Sequence, residues 1–172
     1  MKKLMLLMFL LMVAMLASNA SAALNLLSKF PRERFIVYGH DKAEEAGNVS
    51  YRKFSTDGFI DDVASAKAII ATAGFTLISE ALYLGKPYLA MPMRGQFEQE
   101  LNALMIDQLG YGKRVTRPRS ASIAEFLYRL PEYRERLNDY PRQGNGAIMA
   151  KLDELLAGDC ALAREFYDRR RA

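Results

Sequence analysis

Gly74, Thr76 and Glu80 lie within seven residues of one another, in Thr72-Ala73-Gly74-Phe75-Thr76-Leu77-Ile78-Ser79-Glu80. An apolar run, Ala68–Ala71, precedes the glycine, and Leu77, Ile78, Ala81 and Leu82 follow at helical spacing. A glycine turn at a helix start leaves main-chain N–H groups free at the positive end of the helix dipole, ready for an anion such as phosphate. Gly74 permits a close approach of phosphate to the backbone, and Thr76 can add a hydroxyl donor. Glu80 can accept hydrogen bonds from the two hydroxyls of a ribose, or can simply complement the dipole. A plain strand-to-helix turn accounts for the same three residues. Further on, Glu98, Gln99 and Asn102 fall at i, i+1 and i+4 of a helix, opposite an apolar line of Phe97, Leu101 and Leu104. An exposed polar face explains them equally well.

Other chemistries are excluded by count. A single cysteine, Cys160, allows neither an intramolecular disulfide nor a cysteine-based metal site, and a single histidine, His40, allows no histidine cluster. His40 is the sole side chain whose ordinary pKa suits a base at neutral pH. The net charge of +4 over 172 residues, without an aromatic-interleaved basic patch, argues against nucleic acid as a partner.

Positioning Gly74 and Glu80 takes alternating strands and helices. Gly85-Lys86-Pro87 ends the helix after Gly74, since glycine suits the left-handed position past a helix end and proline cannot continue it. Tyr88–Met91 reads as the next strand, and a further helix starts near Gln96. Upstream, Arg34–Tyr38 and Asn48–Phe54 read as strands separated by a polar loop, Lys42–Gly47. Thr56-Asp57-Gly58 reads as a turn, with a short helix from Phe59. Downstream, Lys113–Thr116 reads as a strand. Ser120 and Ser122 are candidate caps for a helix carrying Ile123, Phe126, Leu127 and Leu130. Pro131 and Pro141 bracket a charged connection, Asn145–Leu156 is amphipathic, and Cys160–Arg171 reads as a terminal helix. The alternation predicts an α/β fold, a single Rossmann-like parallel sheet flanked by helices. Ligands of such sheets bind beyond the carboxyl ends of the strands. That places His40, Phe59, Gly74-Phe75-Thr76 and the loop Met93–Glu98 on one rim.

Residues 1–22 stand apart from this pattern. Lys2 and Lys3, the apolar stretch Leu4–Leu16 and Ala20-Ser21-Ala22 fit a secretory signal, with an uncleaved membrane anchor or a buried element as the other readings. The apolar stretch is short of the ~20 residues that span a bilayer comfortably.

In order, Gly74 … Glu80, then Gly85-Lys86-Pro87, then Gln96-Phe97-Glu98-Gln99-Glu100-Leu101-Asn102-Ala103 resemble the donor-binding half of GT-B glycosyltransferases. The resemblance, from about Ala23 to Leu137, is to glycosyltransferase family 28, C-terminal domain, which includes the enzyme adding N-acetylglucosamine to the lipid-linked peptidoglycan precursor. It implies that Gly74, Phe75 and Thr76 hold the diphosphate of a UDP-sugar and that Glu80 binds its ribose. It further implies that Gln99 reaches the sugar hydroxyls beside Glu98 and Asn102, and that Phe59 and Ile60 meet uracil. The implied reaction is displacement of UDP by an acceptor hydroxyl, with no cofactor beyond the nucleotide-sugar donor and no metal.

Two features run against the family pattern. The chain lacks room for the acceptor-binding domain that carries the base, so a separate acceptor-binding subunit is the expected partner. Where the family has its first strand and a Gly-rich loop, this chain has the signal-like segment with Ala17-Ser18-Asn19-Ala20. The phosphate-contacting Gly-rich loop is therefore expected to be missing, and in one reading the first strand of the sheet with it. Residues 23–172 are expected to form the donor-binding domain with its C-terminal helices. The signal-like start points to export or a membrane surface, the resemblance to the cytoplasmic face of a membrane. The alternative function is an exported, non-catalytic binding module or a truncated remnant.

Overall fold

The computed structural model describes residues 10–14, 20–142 and 144–157. Two compact units divide the chain, Met1–Tyr140 and Pro141–Ala172. The first holds a seven-stranded sheet: β1 (Leu10–Ala14), β2 (Arg34–Tyr38), β3 (Glu44–Ala46), β4 (Val49–Tyr51), β5 (Ala68–Thr72), β6 (Tyr88–Met91) and β7 (Gly112–Arg114). The order is β3-β4-β2-β1-β5-β6-β7, parallel throughout except for the antiparallel edge pair β3–β4.

The first strand is therefore present, and it is central. Leu10–Ala14 pairs in parallel with β2 on one side and β5 on the other. Part of the stretch read as a signal is the strand joining the two halves of the sheet. A strand buried by helices on both faces is a near-continuous apolar run, and so is the middle of a secretory signal. Ala17-Ser18-Asn19, which stand where the family has its Gly-rich loop, lie outside the described residues.

Parallel strands covered on both faces should be apolar at every position. Phe35–Tyr38, Ala68–Ala71 and Tyr88–Met91 are buried throughout. Alternate residues feed two cores. Phe35, Val37, Ile70 and Leu89 meet α1 (Ala20–Leu27), α5 (Ser120–Tyr128) and α6 (Leu130–Asn138) through Leu27, Ile123, Phe126 and Tyr133. Ile36, Ile69, Tyr88 and Ala90 meet α2 (Thr56–Ser65), α3 (Phe75–Tyr83) and α4 (Phe97–Gln108) through Val63, Ile78, Ala81, Ala103 and Ile106.

Local signals explain the departures from expectation. Glu44–Ala46, expected as loop, adds an edge strand to β4. The helix expected from Phe59 starts at Thr56, with Ser55 in extended backbone at its cap position. Ser120 is the first helical residue rather than a cap, and no side chain caps α5. Residues 131–138, expected as connection, are helical: Pro131 sits in the first turn, where its missing N–H has no intrahelical partner to lose. Gly85 takes φ 68 after α3, the left-handed position expected of it.

In the second unit, α7 (Gly146–Ala157) is the expected amphipathic helix and exposes Ile148, Met149, Leu152 and Leu156. The terminal helix expected over Cys160–Arg171 lies outside the described residues.

A chain lacking residues 1–22 loses the strand between β2 and β5. It should show no cooperative thermal transition by far-UV circular dichroism; a sharp melt would mean that the sheet closes without β1. Gly112 is opposite Tyr88, and a Cβ there would fall on the Tyr88 carbonyl. Gly112→Ala should therefore lower the urea midpoint by the equivalent of about 3 kcal/mol or more, the upper end of overpacking costs, because the atoms in the way are backbone.

Candidate functional site

Strand order reverses between β1 and β5: β1 leads through α1 to β2 on one side, and β5 leads through α3 to β6 on the other. The crevice beyond the carboxyl ends of two such strands is where open α/β sheets take ligands. Gly74 stands two residues past the end of β5 and directly precedes α3.

Two side chains fix the backbone that enters this turn. Tyr88 on β6 donates its hydroxyl to the Thr72 carbonyl at 2.7 Å, and Asn102 on α4 donates its amide to the Ala73 carbonyl at 3.0 Å. Burial pushes the Tyr88 hydroxyl well above the ordinary tyrosine pKa, so it stays protonated and keeps donating. With both carbonyls held, Gly74 adopts φ −70 and ψ 135, and the helix begins at Phe75 without a side-chain cap. The first amides of a helix have no intrahelical acceptor. A Cβ on Gly74 would meet nothing within 4 Å, so the turn is open. Phe75 and Thr76 are exposed beside it.

Glu80 is exposed one and a half turns along α3, in a shallow groove with Ser79, Tyr83 and Leu84. Its carboxylate is thus open to a diol. Gln99 sits at the start of α4, where its side-chain oxygen accepts from the Met93 amide at 3.0 Å. Its NH2 group keeps donor capacity. Glu98 is exposed on the same first turn.

One expectation about α4 is reversed. Phe97 is 82 % exposed, Leu101 47 % and Leu104 39 %, whereas Asn102 and Gln99 are half-buried against the sheet end. Helical period defines two faces but not which one turns inward. Here small Ala103 and Ile106 make the buried contact, and Asn102 turns inward to satisfy a carbonyl. Asn102 therefore acts on the turn itself.

Phe59 and Ile60 lie in the first turns of α2, at the same carboxyl-end rim. Phe59 is half-buried, packed edge-on against Tyr38 at 5.1 Å and tilted on Phe54 at 5.3 Å; Phe54 and Ile60 are exposed. Sequence reasoning missed what anchors this helix. Asp62, 6 % exposed, accepts from the Tyr38 hydroxyl at 2.6 Å and from Arg52 Nη1 at 2.6 Å to both oxygens. A carboxylate at i+3 from Phe59 and next to Val63 sits on the buried side of an amphipathic helix, and that spacing was the available signal. Burial foremost, and then the Asp62 hydrogen bond and charge, push Tyr38 up to about 12. His40 follows β2 between Gly39 (φ 94) and Asp41 (φ 41), its ring edge-on to Tyr51 and its buried Nε2 without a hydrogen-bond partner. Among the described residues, no three His, Cys, Asp or Glu side chains gather to hold a metal ion.

Fold and site together define an α/β domain with an open, uncapped helix start at its strand-order reversal. The chain belongs to glycosyl transferase family 1, whose family model matches residues 9–131 and so includes β1. It is 41% identical over 66 residues to an uncharacterized glycosyltransferase of Methanosarcina mazei, an alignment covering 38% of this chain and 17% of that protein. A second from Methanosarcina acetivorans is 41% identical over 59 residues, 32% of this chain and 16% of that protein. Among solved structures, the calicheamicin glycosyltransferase CalG4 superposes with a TM-score of 0.65 at 21% identity, over 87% of this chain and 43% of that one. The spinosyn forosaminyltransferase SpnP gives 0.65 at 16% identity, over 87% and 44%. Phytolacca americana UGT2, solved with UDP-2-fluoro-glucose and pterostilbene, gives 0.64 at 16% identity, over 87% and 41%. These likenesses establish the GT-B glycosyltransferase fold, and the chain spans less than half the length of each of those proteins.

Asn102→Ala removes the donor from the Ala73 carbonyl. It should cost about 1–2 kcal/mol in urea unfolding and speed amide hydrogen exchange across residues 73–77. Exchange and stability unchanged from wild type would mean that the turn holds itself.

Proposed function

We propose that this chain is the donor-binding half of a hexosyltransferase, taking UDP-hexose or UDP-N-acetylhexosamine and transferring sugar to an acceptor hydroxyl with a separate acceptor-binding partner. The observation that carries this reading is the open turn at Gly74, its carbonyls held back and its amides uncapped, with exposed Glu80 on the same helix. Family membership and the shared fold support it, and so does the UDP-sugar analogue bound by one structural relative.

The roles follow from chemistry. The amides of Phe75 and Thr76 and the α3 dipole receive the diphosphate. Glu80 accepts from the ribose hydroxyls, and the free NH2 of Gln99 donates to the hexose, with Glu98 at its edge. Phe59 and Ile60 meet the uracil. During transfer, the acceptor oxygen bonds to the anomeric carbon as the bond from that carbon to the β-phosphate oxygen breaks. The electron pair leaves on UDP, where the helix terminus stabilises the growing charge. The acceptor proton passes to a base on the acceptor-binding partner. A role like that of the family 28 enzyme of peptidoglycan lipid-intermediate synthesis belongs to the same proposal, and an N-acetylhexosamine donor follows from it.

The place of Leu10–Ala14 inside the sheet supports keeping this segment in the mature chain. That favours the cytoplasmic side of a membrane, where such donors are made, over export. It also weakens the alternative of an exported binding module, which drew on the signal-like start.

Isothermal titration of the purified chain with UDP and UDP-N-acetylglucosamine should give saturable binding. A folded chain that releases no heat with millimolar ligand would refute the proposal. Glu80→Ala should weaken UDP binding about tenfold or more, as expected for deleting hydrogen bonds to a charged acceptor, and leave the melting temperature near wild type.

A further inference from the structure

We infer that Asp62, with Tyr38 and Arg52, is a positioning residue for base recognition: the network sets where α2 presents Phe59 and Ile60 to the uracil. The inference rests on the UDP-sugar reading and names the residues that would give it base selectivity.

The helix enters the rim without a side-chain cap, because Ser55 stands at the cap position and makes no such bond. Its orientation must come from elsewhere. Asp62 ties it to β2 through the Tyr38 hydroxyl at 2.6 Å and to the end of β4 through Arg52 at 2.6 Å. Arg52 is itself fixed, since its backbone amide donates to the Val37 carbonyl of β2 at 2.9 Å. Phe59 lies one turn before Asp62, so both point toward the same strand ends. There the ring of Tyr38 touches Phe59 at 5.1 Å while its hydroxyl holds Asp62. One tyrosine thus fixes both the carboxylate and the aromatic. Exposed Phe54 extends the ring cluster to the surface, at 5.3 Å from Phe59.

Burying the Asp62 carboxylate against a half-exposed Arg52 is a poor choice for stability alone, because an apolar residue at the buried position commonly serves as well or better. What it does supply is direction. The carboxylate bonds two partners from different strands and so fixes the rotation of α2 about its axis. A planar base read by a helix turn needs that rotation fixed, because a small misplacement of positioning groups weakens recognition severely. The anion site needs none of it, since Gly74 is held separately from β6 and α4.

The test compares wild type, Asp62→Asn and Tyr38→Phe for binding of UDP, CDP and inorganic pyrophosphate by titration calorimetry, with circular dichroism melts as control. Wild type should prefer UDP over CDP. Both variants should bind UDP about tenfold more weakly and lose that preference, while pyrophosphate affinity stays within about twofold. Variants that fold and keep wild-type UDP affinity and base preference would overturn the inference. A parallel fall in pyrophosphate affinity would do the same, as would a wild type without base preference. Should Asp62→Asn fail to fold, Tyr38→Phe, which deletes one oxygen, decides the matter alone. A folded wild type that ignores UDP altogether would instead refute the nucleotide-sugar reading, and the inference with it.

Discussion

The parallel pairing of Leu10–Ala14 with both β2 and β5 is the constraint on which the rest depends. Strands on its two sides are reached by crossovers of one hand, so the helices fall on opposite faces: α1 and α5 on one, α2, α3 and α4 on the other, with α6 reaching both cores through Tyr133 and Leu137. The same reversal opens the crevice that Gly74 borders. Without β1, β2 and β5 would present two facing edges, each a row of unpaired main-chain groups. Core, layers and site are consequences of one five-residue strand.

At the mouth of that crevice, the chain solves a conflict in main-chain hydrogen bonding. A strand-to-helix turn exposes both carbonyls and amides, and an anion site wants only the amides. Tyr88 and Asn102 remove the carbonyls of Thr72 and Ala73 from competition. Neither side chain need touch a ligand to matter. Their distance along the chain from Gly74 makes the turn's geometry a property of β6 and α4, two elements that are themselves packed in the sheet and its helical layer.

Much of this was legible in the sequence, and the exceptions share causes. Arg34–Tyr38 and Tyr88–Met91 were readable as strands because burial on both faces writes an apolar run. The helix after Gly74 was readable from its spacing and from Gly85. The same apolar logic hid β1, since Leu10–Ala14 sits after Lys2 and Lys3 and before small residues, the composition of a secretory signal. Pro131 concealed α6, because a proline reads as a breaker unless its neighbours show that it opens a helix. For α4, spacing marked the line Phe97, Leu101, Leu104 but could not say that it faces outward. The candidate residues at Gly74 and Glu80 were readable because they lie close together in sequence. Their supports were not, because Asp62 is 24 residues from Tyr38 and Asn102 is 29 from Ala73.

That difference has a physical basis. The candidate ligand groups of this domain lie on short segments at strand ends, where sequence neighbours are also spatial neighbours. Groups that hold those segments must come from other elements, because a turn cannot brace itself against its own flexibility. Here two separate braces act at the rim: Tyr88 and Asn102 hold the turn at Gly74, while Tyr38 and Arg52 hold α2 through Asp62. The two braces share no hydrogen-bonding side chain, and Tyr38 and Tyr88 meet in one buried cluster behind them.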